Sequence, residues 1–277
     1  MTTWVVIALA VAAVAYVLSR GKPAPRAAPA GTPRAAASGQ APDLGGGLKA
    51  MLFAEQPLED ELASLAPYSP EVKDALALLE KGDCEGAKAR LKEKAPTEYP
   101  WSLLLAHVRA SCGDRAGAIE LLTAHLAATK EQAHPTLQTW GWLRKLGAEP
   151  EAEAASQVLG LVVEIGYAEG ADTVAAYADG SSRLFGRQGG ASLGQEKRPA
   201  VQEAARRAIG VAASLAASAK PVTARAPVDP GVVRFTFLTP GGPLVSECNS
   251  DDLKAGTSPL LPLFTAAAEL ERLKAQG

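Results

Sequence analysis

The feature that most restricts this chain's fold is a ten-residue pattern that recurs. Gly82-Asp83-Cys84-Glu85-Gly86-Ala87-Lys88-Ala89-Arg90-Leu91 matches Gly113-Asp114-Arg115-Ala116-Gly117-Ala118-Ile119-Glu120-Leu121-Leu122 at an offset of 31 residues. A weaker echo, Gly147-Ala148-Glu149-Pro150-Glu151-Ala152, lies 34 residues beyond the second copy. A glycine turn followed by a small residue early in the next helix lets two antiparallel helices approach closely. The flanking residues agree. Ser69-Pro70-Glu71 supplies an N-cap, a first-turn proline and an acidic residue at a helix start. Val72, Ala75, Leu76 and Leu79 then form an apolar stripe. Gly82-Asp83 separates that helix from the next, in which Ala87 and Leu91 face inward. Trp101–Cys112 and Asp114–Thr129 are the third and fourth predicted helices.

Over residues 70–157 the pattern resembles the tetratricopeptide repeat family, with two fair copies and a degenerate third. Gly82 and Gly113 fall where that family turns between its first and second helices, and Ala87 and Ala118 near its small second-helix position. The family's first-helix Trp-Leu-Gly-Tyr pattern is absent, and one spacing is 31 rather than 34. The resemblance implies stacked helical hairpins and a groove that binds other proteins. Just upstream, Leu48, Met51, Leu52 and Phe53 cluster, Pro57 interrupts, and Leu58, Leu62 and Leu65 recur at helical spacing. This segment is expected to fold back over the first repeat helix.

Ahead of the repeats lies Trp4–Leu18, WVVIALAVAAVAYVL, apolar and uncharged. As a helix it extends about 22 Å. Thr2, Thr3 and Ser19 bring it toward the ~30 Å of a bilayer's hydrocarbon core. Cations are missing before the run, whereas Arg20, Lys22, Arg26 and Arg34 follow it. A secretory signal carries its cations in front, so an uncleaved anchor is predicted. Lys and Arg stay on the cytoplasmic side. The expectation is a single-pass membrane protein with its N-terminus outside and the bulk of the chain cytoplasmic. Residues 21–47, rich in Pro, Ala and Gly, read as a linker. Cys84, Cys112 and Cys248 cannot all pair within one chain, and none sits at C-x-x-C spacing. They are read as small buried apolar residues, in keeping with the cytoplasm.

Near Leu159 the period changes from helical to strand-like. Leu161–Ile165, Asp172–Ala178 and Ser182–Phe185 are predicted strands, with Asp179-Gly180 as a hairpin turn. An alanine-rich helix at Pro199–Ser218 follows. A second hairpin, Val232–Leu238 and Leu244–Cys248, turns at Pro240-Gly241-Gly242, and a helix at Pro259–Gln276 ends the chain. The order β-β-β-α-β-β-α predicts an α+β two-layer sandwich. The expected domains are an anchor at 1–20, a linker at 21–47, tetratricopeptide-like helices at 48–157 and the α+β domain at 158–277.

No residue is nominated as catalytic, cofactor-binding or metal-ligating. A net charge of −2 makes no electrostatic case for nucleic acid. His107, His125 and His134 lack neighbouring ligands at metal spacing. Gly189-Gly190-Ala191-Ser192-Leu193-Gly194 has the glycine spacing of a phosphate loop, but Gln195-Glu196 stand where Lys and Ser/Thr are required. Glu164, Asp172 and Asp179 are explained as an outward strand residue, a strand boundary and a turn. Lys197, Arg198, Arg206 and Arg207 read as a solvated helix face. The expected role is a membrane-tethered, non-enzymatic adaptor, held to the bilayer by residues 4–18 and binding a partner protein. One alternative is a small-molecule sensor or enzyme with its site between sheet and helix, and another is an exported, anchored envelope protein.

Overall fold

A computed structural model describes residues 51–91, 99–188, 190–192, 197–222 and 224–276. The expected anchor at 4–18, the linker, and Gly189, Leu193, Gly194, Gln195 and Glu196 of the glycine-rich stretch lie outside the described residues. No helix among the described residues is long and apolar enough to cross a membrane. The chain is a mixture of helices and antiparallel sheet, in two compact units.

The first unit holds residues 50–160 with 238–243. Its helices are α1 (Leu58–Leu65), α2 (Pro70–Glu80), α3 (Cys84–Leu91), α4 (Trp101–Ser111), α5 (Arg115–Thr129), α6 (Ala133–Lys145) and the short α7 (Ala152–Ser156). The recurring decapeptide folds the same way at each copy. Gly82, Gly113 and Gly147 have φ of +74°, +84° and +73°. Each ends a helix in the left-handed conformation that costs glycine least. At each turn the glycine N–H bonds back to a carbonyl of the last helical turn: Gly82 to Leu79 at 2.9 Å, Gly113 to Ala110 at 3.2 Å, Gly147 to Arg144 at 2.8 Å. The following N–H reaches one residue further, from Asp83 to Leu78, Asp114 to Arg109 and Ala148 to Leu143. That paired closure satisfies carbonyls a helix end leaves orphaned. The aspartates then cap the next helix: Asp83 accepts from Gly86 N–H at 2.8 Å and Asp114 from Gly117 N–H at 2.9 Å.

The hairpins α2/α3 and α4/α5 pack internally, and α3 against α4 and α5 against α6 link them in series. Ala87 and Ala118 are fully buried at the close approaches, and Leu104, Leu122, Leu143 and Trp142 help fill the core. Helix α1 lies on α2 and α4, as the upstream apolar cluster suggested. Leu52 and Phe53 are buried with it, and Trp142 Nε1–H donates to the Gln56 carbonyl at 2.9 Å.

The turn geometry carries a prediction. A Cβ at Gly113 would meet nothing within 4 Å, so Gly113→Ala acts only through the backbone. It should destabilise by about 1 kcal/mol, the cost of a left-handed non-glycine residue. Gly210, inside helix α8 (Pro199–Leu215), also has open space around it. Gly210→Ala should stabilise by about 0.5–1 kcal/mol, because alanine is the better helix former. Urea midpoints of the two variants should move in opposite directions.

The second unit holds residues 161–237 and 244–277. Its strands are β1 (Gly160–Tyr167), β2 (Gly170–Tyr177), β3 (Ser182–Phe185), β4 (Ala191–Ser192), β5 (Lys220–Pro221), β6 (Val232–Thr239) and β7 (Gly242–Asn249). They form one sheet in the order β4-β3-β2-β1-β6-β7-β5. At the β2–β3 turn Gly180 has φ +87°, and Asp179 Oδ1 accepts from Ser181 N–H at 2.8 Å. That fixes the register Ala176 to Ser182 and Thr173 to Phe185. Helices α8 and α10 (Leu261–Ala275) pack on each other and on β2. Ala204, Ala205, Ala208 and Ala212 bury one stripe of α8; Leu263, Phe264 and Leu270 bury one of α10. A short helix α9 (Ser250–Lys254) lies between β7 and α10. Lys274 near the end of α10 is buried and donates to the Ser182 carbonyl at 2.9 Å and its hydroxyl at 3.2 Å.

Candidate functional site

The sequence nominates no site residues, and the polar groups it singles out have identifiable local partners in the fold. The three candidate carboxylates serve separate local roles. Asp179 shapes its turn. Asp172 accepts from the Arg187 backbone N–H at 2.8 Å and from its guanidinium at 2.6 Å. The same guanidinium lies 3.9 Å from the centroid of the Tyr167 ring. Burial pushes the Tyr167 hydroxyl above its ordinary pKa. Glu164 corrects the expectation of an outward residue: it is 7% exposed. It does alternate with Val163 and Ile165, but its own side of the sheet is also covered. Val228 and Asp229 run against Gly166 there.

Glu164 belongs to a row of charges. Arg234 on β6 reaches Glu247 on β7 at 2.5 Å and Glu164 on β1 at 3.9 Å, and donates to the Ala226 carbonyl. Three neighbouring strands thus carry acid, base, acid side by side. Beside this row a cleft of about 560 Å³ is lined by Lys220, Arg225, Arg234, Val245, Glu247 and Leu260 among others. Its wall is largely apolar, with Lys220, Arg225, Arg234 and Glu247 as the charged groups that could orient a small molecule there.

The histidines do not meet. His134 contacts the Met51 carbonyl, and His107 is half-buried on α4. His125 on α5 shares a hydrogen bond of 3.2 Å with Ser102 on α4. Ser102 is 1% exposed, so this pair pins two helices and is closed to substrate. No group of His, Cys, Asp or Glu among the described residues could hold a metal ion. Burial lowers the pKa of both His125 and His107, with Glu59 opposing the shift at His107. The folded state therefore resists protonation more than the unfolded chain does. Stability is full above pH 6.5 or so and falls as pH drops through it. The urea midpoint of the helical unit should decline from pH 7 to pH 5, and His125→Gln should flatten that slope.

The basic face of α8 is engaged rather than merely solvated. Arg206 donates to the Asp179 carbonyl at 3.3 Å, Arg207 pairs with Glu269 at 3.1 Å, and Arg198 donates to the Leu273 carbonyl at 3.0 Å. In the glycine-rich stretch, the described Ala191–Ser192 is strand β4, paired to β3.

The cysteines depart furthest from expectation. Cys84, opening α3, and Cys112, directly after α4, form a disulfide with Cα atoms 5.7 Å apart. Neither is a lone buried apolar residue. Cys248 is free and half-buried, with its thiol pushed up chiefly by burial and also by Asp252, while a Ser258 hydrogen bond opposes. That is the opposite of an activated nucleophile. Among large hydrophobic side chains, Tyr68 and Tyr99 are exposed, at 86% and 56%. The Tyr99 hydroxyl, 3.2 Å from Glu61 Oε1, is pushed up to about 12, first by burial and then by that carboxylate. No family model, no curated protein and no solved structure matches this chain.

Proposed function

We propose that the chain is a membrane-tethered adaptor whose helical unit binds another protein. The observation that carries this reading is the series of like-built hairpins, each turned by a left-handed glycine. Serial hairpins of this kind offer extended surfaces in repeat proteins. Resemblance to the tetratricopeptide family supports the same role, and the Trp4–Leu18 run supports the tether. Tyr68 and Tyr99 are the side chains to test, because exposed tyrosines contribute strongly where proteins meet. Full-length chain extracted from membranes in mild detergent should capture a partner, and Tyr68→Ala with Tyr99→Ala should weaken capture without changing the urea midpoint. Recovery of no partner at all would overturn the reading.

The cleft beside Arg234 favours a second reading, in which the sheet unit binds a small anion. A ligand that binds only the folded state raises its melting temperature. A screen of simple carboxylates and phosphates that produced no shift would remove this alternative.

A further inference from the structure

We propose that Cys84 and Cys112 are oxidised in an oxidising compartment, and that the body of the chain stands on the non-cytoplasmic side of the membrane. The placement rests on the tethered reading above; the bond does not. The Cα separation of 5.7 Å falls inside the range a disulfide spans without moving the backbone. The bond joins successive hairpins at equivalent edges. Cys84 follows the Gly82 turn and Cys112 precedes the Gly113 turn, so each half is set by the repeat itself. With a sequence separation of 28, the two are not a short-spaced redox pair. No metal cluster among the described residues competes for them. What remains is a structural cross-link, and such links persist where glutathione and thioredoxin do not keep thiols reduced.

The chemistry balances through exchange. One thiolate attacks the disulfide of a protein oxidant of the dithiol class, giving a mixed disulfide, and the second thiolate displaces it. An S–S bond forms, and the two electrons, with the two thiol protons relayed through solvent, pass to the oxidant, whose own S–S bond breaks as it leaves as its dithiol. This placement reverses the sidedness that Arg20, Lys22, Arg26 and Arg34 suggest. The cation bias governs short loops most strongly, and long domains translocate largely regardless of charge.

The test uses the full chain in bacterial membranes. Cells are quenched in acid, the protein is denatured, and thiols are tagged with a maleimide polymer before or after reduction. The expected result is one adduct without reduction, at Cys248, and three after it. Protease added to spheroplasts should then cut the linker and release the body without detergent. Three adducts before reduction would overturn the bond and the placement together. One adduct with the body protected until detergent is added would overturn the placement. A chain recovered wholly in the soluble fraction would overturn the placement through the tether. Failure to capture a partner touches only the adaptor reading.

Discussion

Phe235→Ala should lower the unfolding free energy of the sheet unit by about 3–5 kcal/mol. Phe235 lies on β6, is fully buried, and shares a sheet face with Val233 and Phe237, which are equally closed to solvent. β6 sits between β1 and β7, so neither strand edge is free to close over a void. Truncation removes the ring's apolar contacts and leaves a cavity that paired strands cannot collapse. Phe235→Leu keeps more of the volume and should cost less. Urea unfolding followed by far-UV circular dichroism is the measurement. The midpoint should fall while the slope against denaturant stays the same. A loss under about 1 kcal/mol would mean that β6 is not part of a close-packed core.

Reducing Cys84–Cys112 should cost the helical unit about 3.5 kcal/mol, from the loop entropy returned to the unfolded chain by freeing a 28-residue separation. For a unit of this size the melting temperature should drop by about 10 °C or more. Cys112→Ser should reproduce the effect, and reductant should then add nothing further. Cys248→Ser is the control: it leaves the cross-link in place and should respond to reductant like the parent chain. An unchanged melting temperature on reduction would mean that the unfolded chain gains little freedom from the cut.

Much of the fold was legible where local chemistry decides it. The glycines at 82, 113 and 147 marked the hairpin turns, because only a residue without Cβ takes a left-handed helix end cheaply. Asp179-Gly180 marked the β2–β3 turn for a similar reason. Helix ends were less sharp: the alanine-rich helix was expected to Ser218, whereas α8 stops at Leu215 and a 3₁₀ turn covers Ala216–Ser218. What was missed depends on contacts far apart in sequence. The burial of Glu164 needs residues 228–229 laid against Gly166, and no alternation within β1 reports that. The disulfide needs two turns brought edge to edge. A signal was present, since both cysteines flank the repeat glycines, but using it requires stacking the repeats in space first. The engaged arginines of α8 likewise depend on where α10 and the β2–β3 turn lie.

The acid-base-acid row across β1, β6 and β7 has a consequence for how the sheet assembles. Side chains alternate between faces, so sliding β6 by one position would turn Arg234 toward the side now occupied by Phe235 and Val233. A guanidinium there would be stripped of water with neither Glu164 nor Glu247 in reach, a strongly penalised arrangement. A slip of β6 by one position is therefore disfavoured. A lone arginine acts here as a keyway, rejecting that mispaired sheet as the apolar interior closes over it.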